Sequence, residues 1–435
     1  MTGTVAAALN RTCFCVPVEP ADVHEELARA GLGEAARRLS ESHPGLFASQ
    51  GVFVGREDVA RMQAVVDAIE AVVALPAYQT AALADAPPIA AELPAHPAVL
   101  HGFDFHLGES GPRLIEINTN AGGIMLALAA NRALHRGCGA LWERPPAANS
   151  DRTPPDPGID AALPEALWWM FVDVWQQARG GWPLNRIAIV DERPQEQYLY
   201  PEFELFAVLL RRHGVAVDIA DPAELEFDGE RLRRHGQAVD LVYNRCTDFY
   251  LEGAALAALQ QAALARAVVL TPDPRAHALY ANKRNLARMT DPERLAEWGV
   301  DRSVREVLLR AIPRTEIVRP EHAERLWAER KRLFFKPARG FGSRGSYRGD
   351  KLTRGRFEAL LADDYVAQAL VPPGARLPGA GAGDFRFDVR SWVYRGRTLL
   401  QAARVYRGQT TNFRTAGGGF APLLQTPAAD EGLAC

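Results

Sequence analysis

The stretch FDFHLGESGPRLIEINTNAGG, residues 103–123, decides how this chain is read. It runs as a strand, a turn, a second strand and a glycine loop that opens a helix. Asp104 leaves the first strand, and Glu116 and Asn118 stand at i and i+2 on the second. Side chains two apart share one face, so these two look one way while Ile115 and Ile117 look the other. Two carboxylates and an amide oxygen on neighbouring strands form an all-oxygen set. Such sets suit Mg²⁺ holding a nucleotide's phosphates. A hairpin with its polar residues turned to water fits the same letters. Leu114, Ile115 and Ile117 argue instead for a largely buried strand, where an unpaired carboxylate is costly.

The totals narrow the class. A chain of 435 residues is too long for one core, so two or three packed units are expected. Apolar residues make up 48% and the net charge is −3, which fits a soluble globular protein without the basic excess that nucleic acid binding needs. The five cysteines (Cys13, Cys15, Cys138, Cys246, Cys435) include one close pair and no second pair to answer it. That argues against a zinc site and for a reducing, cytoplasmic setting. The N-terminus lacks a signal pattern, and no apolar run reaches the roughly 18 residues of a membrane span.

Outward from the opening stretch, residues 56–74 carry Val59, Met62, Val65, Val66, Ile69 and Val72 at helical spacing, the pattern of an amphipathic helix on a sheet. A second helix is expected over 124–135. Residues 143–164 are dense in Pro, Asp and Asn and read as a linker. A helix over 164–179 follows. From RIAIVD (186–191) to VVLTP, strands alternate with helices, which predicts a Rossmann-like parallel sheet within a unit spanning 165–272. No G-x-G-x-x-G follows RIAIVD, so dinucleotide binding has no support. Residues 277–332 read as mainly helical. Strands are expected at Leu333–Pro337, 365–371, 385–395 and 398–406, with the tail after Pro422 disordered.

Chemistry-bearing residues concentrate in this last part. Lys336 precedes G-F-G-S-R-G, with Gly340, Gly342, Ser343 and Gly345. Glycines let a backbone curl over phosphates, and a strand lysine beneath neutralises them. An ordinary surface hairpin reads the same way. Lys283 is a second lysine, at a helix start. YVAQAL (365–370) is a hinge that could read adenine through its backbone, or simply a buried strand. Asp388 and Arg390 share a strand face and Arg404 lies on the next strand. Paired arginines suit a charged phosphoryl or tetrahedral species, and they equally suit cross-strand salt bridges. Thr411, Asn412 and the glycines that follow form a further anion-facing loop. No G-x-S-x-G elbow is present.

Taken in order, these motifs resemble the nucleotide half of the ATP-grasp superfamily, in particular bacterial glutathione synthetase and related carboxylate–amine ligases. ANKRNLARMTD resembles the segment with the first ATP lysine, at Lys283. LFFKPARGFGSRG resembles the second lysine with its flexible loop: Lys336, Gly340, Gly342, Ser343 and Gly345. YVAQAL resembles the adenine hinge that ends at Gln368, Ala369 and Leu370. FDVRSWVYRG resembles the strand whose Asp contacts ribose and whose Arg meets the reacting phosphate, here Asp388 and Arg390; AARVYRG supplies Arg404.

In that family a helix, an Asp strand and E-x-N then follow and hold two Mg²⁺ ions. Here they lie at the start of the chain, as helix 56–74, Asp104, Glu116 and Asn118. The resemblance therefore implies an α/β protein with a circularly permuted ATP-grasp fold. Residues 1–142 would complete the ATP-grasp domain, with 143–164 as linker, 165–272 as a pre-ATP-grasp substrate domain, 273–425 as the ATP-grasp subdomains and 426–435 as a flexible tail. It implies ATP and Mg²⁺ as cofactors, small-molecule or peptide carboxylates and amines as substrates, and leaves a homodimer open. The implied reaction is amide formation through an acylphosphate, with Arg390 and Arg404 as catalytic residues. A phosphotransferase, or a nucleotide-binding protein without turnover, would use the same motifs.

Overall fold

The computed structural model describes the chain apart from residues 1–3, 14–16, 34, 37–38, 40–41, 44, 109, 143–157, 341, 343, 378–384, 409–410, 412–416 and 428–435, and leaves the side chains of 136–142 and 158–161 undescribed. Its largest sheet is built from both ends of the sequence. The strand order is Val52–Gly55, Gly419–Thr426, Arg397–Tyr406, Phe385–Tyr394, His101–Gly108 and Gly111–Asn118, with Gly374–Arg376 pairing beside Phe385–Tyr394. The opening stretch thus pairs antiparallel with a strand some 280 positions later, Arg390 standing opposite Asp104.

One face of this sheet is apolar. Phe103, Phe105, Leu114, Ile117, Val389 and Ala403 pack on the buried side of helix Arg56–Val73, through Met62, Val65, Val66, Ile69 and Val72. Each such side chain, fully buried, contributes about 1.5–3 kcal/mol relative to exposure. The other face carries charge: Glu116 opposite Asp104, Asp104 opposite Arg390, and Asp388 opposite Arg404. The alternation of the Phe385–Tyr394 strand is what separates the two faces.

The Rossmann-like expectation is met. Val269–Thr271, Leu241–Asn244, Arg186–Val190 and Ala216–Ala220 form a wholly parallel four-stranded sheet, and helix Tyr200–Arg212 makes one of the crossovers. A third, antiparallel sheet runs Thr315–Ile317, Tyr365–Ala369, Leu333–Pro337 and Tyr347–Arg348, over a core of Phe335, Phe357, Leu360 and Leu326.

Three expectations are corrected. The tail is ordered beyond Pro422: Val52↔Leu423 and Gly55↔Thr426 are paired in parallel, a partner remote in sequence supplying what the local letters lack. The linker is shorter than 143–164, because a helix begins at Gly158 and contains Pro164. Leu163, Leu167, Met170, Phe171 and Val174 form its buried stripe, so packing overrides the composition there. Finally, the register slips between Asp104 and Phe105, leaving Ile115 as a bulge residue that turns into the cleft with Glu116 rather than away from it. Cys13 is disulfide-bonded, a departure from a fully reduced set, and Cys246 is a buried free thiol. No helix is long and apolar enough to cross a membrane.

Candidate functional site

A cleft of about 980 Å³ opens between the large sheet and the small antiparallel one. Glu116, Lys283, Lys336, Gly340, Ala369 and Arg404 are among its lining residues, so residues distant in sequence meet there.

Lys336 points from its strand across to the large sheet. Its Nζ donates to the Ile115 carbonyl and to Gln368 Oε1, both at 2.9 Å. The Ile115 bulge presents that carbonyl. Lys283 begins helix Arg284–Met289; its Nζ donates to the Gly340 carbonyl at 2.7 Å and stands 4.0 Å from Glu116 Oε2. One lysine therefore ties the glycine loop to the acidic strand, and the other ties the small sheet to it. Gly342 and Gly345 hold φ of 57° and 67°, as a tightly curled loop requires, while Ser343 lies outside the described residues.

The acidic and arginine residues form one network. Asp104 is fully buried and accepts from Arg390 Nε and Nη2, both at 2.7 Å, from Arg404 Nη2 at 2.9 Å and from Asn118 Nδ2 at 3.0 Å. Arg404 also donates from Nε to Asp388 Oδ1 at 2.6 Å, and Asp388 takes a further hydrogen bond from Thr411. Asp388 and Arg404 thus form a cross-strand salt bridge, but on a buried face rather than a solvated one. Burial alone would raise the Asp104 pKa, but the two guanidinium groups outweigh it and hold the carboxyl below its usual range. Arg404 feels desolvation and then Asp104 and Asp388, which win and keep it charged. Asn118 also reaches toward Glu116 Oε1 at 3.4 Å, so both carboxylates converge on its amide.

Not every expected residue reaches the cleft. Asp104, Arg390 and Asp388 do not line it; Asp388 is fully buried with its carboxylate engaged, so a ribose contact from it is not in place. Ala369 and Leu370 line the cleft, but their N–H groups donate to the Arg314 and Arg332 carbonyls and are not free to read a base. Asn412 lies outside the described residues. His106 was missed. It lines the cleft, two residues beyond Asp104 on one strand face, and its Nδ1 lies 2.8 Å from the Val371 carbonyl. The period-two pattern in FDFHLG would have found it. Arg348, Lys351 and Arg386 also line the cleft and carried no local motif.

Desolvation pulls the Lys336 amine down to about 8, partly countered by Glu116. The free protein therefore loses this charge as pH rises through about 8, whereas a triphosphate bound beneath would retain the proton. Nucleotide binding at roughly pH 9 should take up close to one proton and weaken with further rise in pH. Calorimetry in buffers of different ionisation enthalpy measures this; no uptake in wild type would show that Lys336 does not meet the phosphates.

No protein-family model and no curated protein matches the sequence. Among solved structures, a glutathione synthetase-like effector from Globodera pallida in its apo form aligns with a TM-score of 0.54 at 11% identity, over 94% of this chain and 98% of that one. A protein described as a gamma-glutamylcysteine synthetase from Methylobacillus flagellatus KT aligns with a TM-score of 0.44 at 12% identity, over 83% and 84%. The ATP-grasp ligase PsnB, complexed with a minimal precursor, gives 0.27 at 17% identity, over 56% and 89%. The chain therefore shares the fold of a glutathione synthetase-like effector.

Proposed function

We propose that the chain is an ATP- and Mg²⁺-dependent carboxylate–amine ligase that makes an amide bond through an acylphosphate. The observation that carries this reading is the meeting of Lys283, Lys336, Glu116 and Arg404 around one cleft. The order of elements is read as a circular permutation, supported by the pairing of His101–Gly108 with Phe385–Tyr394.

The donors fit a divalent cation in part. Two carboxylates converge on the Asn118 amide, yet Asp104 is already neutralised by two arginines. Among the described residues no three His, Cys, Asp or Glu side chains form a metal-holding group. Glu116 and the Asn118 oxygen would hold Mg²⁺. Bound there, the ion would offset charge on the β- and γ-phosphates. Lys283 and Lys336 clamp the triphosphate. A substrate carboxylate takes the γ-phosphoryl group and ADP departs. Arg404, with Arg390 behind it, stabilises the transferred group. An amine then attacks the acyl carbon and phosphate leaves.

Incubation with MgATP and pooled acids and amines tests this. An amide with stoichiometric phosphate is expected; a stable phosphorylated product would make the chain a phosphotransferase, and nucleotide binding without turnover a non-catalytic binder. Within an active enzyme, Glu116→Ala should abolish turnover and leave the melting temperature within a few degrees, since Glu116 is part-exposed and its nearest cation is 4.0 Å away. Full Mg²⁺-dependent activity in that variant would remove Glu116 from the metal site.

A further inference from the structure

The loop 119–123 joins the Asn118 strand end to helix Ile124–Trp142, and it is held by the parallel-sheet unit. Glu202, in the first turn of helix Tyr200–Arg212, is 1% exposed. Its Oε2 accepts from Gly123 N at 2.7 Å and its Oε1 from Met125 N at 3.2 Å. One carboxylate thus satisfies the start of a helix in another unit. Asn120 Nδ2 adds contacts of 3.3 Å to the Arg245 and Cys246 carbonyls.

The loop has no slack. A Cβ on Gly122 would stand 2.6 Å from Leu199 Cδ1, 2.7 Å from Arg245 Nη2 and 3.1 Å from Glu202 Oε2. Gly123 has φ of 103°, and a Cβ there would meet the Phe420 ring at 2.0 Å. Arg390 Nη1 lies 3.5 Å from the Gly122 carbonyl, while its other donors hold Asp104. The contacts run from Glu202 to the loop, from the loop to Arg390, and from Arg390 to Asp104.

We propose that Glu202 is a positioning residue of the site: it fixes loop 119–123, and through it Arg390 and Asn118, in register with the cleft. This rests on the ligase reading above. Its consequence is that the parallel-sheet unit does more than present substrate; it sets the geometry of the phosphoryl-transfer groups.

The full chain with MgATP and the acid and amine pool provides the test, with phosphate release, MgATP dissociation constant and melting temperature read together. Glu202→Ala should cut kcat about 100-fold while the MgATP dissociation constant stays within about twofold, the signature of misplaced reacting groups. Glu202→Gln keeps one acceptor oxygen but turns an NH₂ toward the second N–H. It should lose only about tenfold, a partial rescue that bulk destabilisation would not produce. If either variant regains wild-type kcat when assayed well below its melting temperature, Glu202 is merely structural and the proposal falls. Should the alanine variant fail to fold, unchanged kcat in Glu202→Gln overturns it alone. A wild-type chain that releases no phosphate sinks the ligase reading and this inference with it; an active wild type beside an equally active Glu202→Gln sinks only the inference.

Discussion

Lys336→Met should weaken MgATP binding by roughly 100-fold, about 3 kcal/mol, with little change in the stability of the nucleotide-free protein. The two halves of this expectation have separate causes. In the nucleotide-free chain Lys336 is 8% exposed and its charge is disfavoured by burial, so removing it relieves a cost. Against that, the Ile115 carbonyl and Gln368 Oε1 each lose a donor. These effects are of similar size and opposite sign, so apo stability barely moves. Binding is different, because a triphosphate is the anion that the desolvated ammonium lacks. The sign with pH follows: a lysine whose folded pKa is lowered adds stability as pH rises from about 8 toward its unfolded value, and loses phosphate affinity over the same window. Titration calorimetry of the variant at neutral pH checks it, and an unchanged dissociation constant would take Lys336 out of the nucleotide site.

The parallel sheet was legible because its strands alternate with helices locally: RIAIVD, VAVDIAD, DLVYNR and VVLTP all form strands. The charged face of the large sheet was legible for the same reason. Asp388 and Arg390 stand two apart, and that spacing fixes a shared face whatever they pair with. Pairing itself was not. That Gly419–Thr426 lies between Val52–Gly55 and Arg397–Tyr406 depends on segments hundreds of residues apart. Nor does a period-two pattern announce a single inserted residue such as Ile115, whose carbonyl became the anchor for Lys336. Buried polar side chains were the hardest to read. Glu202 falls in 187–204, a strand-end region where substrate selection is expected, but its position does not show that it holds loop 119–123; Arg376 sits in a Pro/Gly-rich stretch, PPGAR. Yet Arg376 is 2% exposed and donates to the Gly51, Asn10 and Cys13 carbonyls, tying the N-terminal segment to the sheet. What separates such residues from solvated ones is a partner from another element, and a local pattern does not contain it.

Asp104→Asn should destabilise the fold by about 3–5 kcal/mol, the cost of leaving a buried cation without its counter-charge. The residue is fully buried and is the only carboxylate in ion-pair contact with Arg390 among the described residues. Arg404 would keep Asp388, so the loss falls mainly on Arg390. An asparagine can accept one of the two bonds that Arg390 now makes, but its NH₂ would face a guanidinium N–H. The pH dependence separates this from a simple loss of packing. Because the Asp104 pKa is depressed in the folded chain, its contribution is fully present above the unfolded value near about 4 and is lost as pH falls through the folded one. Denaturant titrations should therefore show a constant gap between wild type and variant from about pH 5 to 8, closing only in strong acid. The gap also decides what Asp104 does in the site. If the variant is as stable as wild type but inactive, the carboxylate is spent on a metal rather than on the arginines. If it is unstable and its residual folded fraction still turns over at near the wild-type rate, Asp104 holds Arg390 and Arg404 in place, and Glu116 with Asn118 is left to meet the cation.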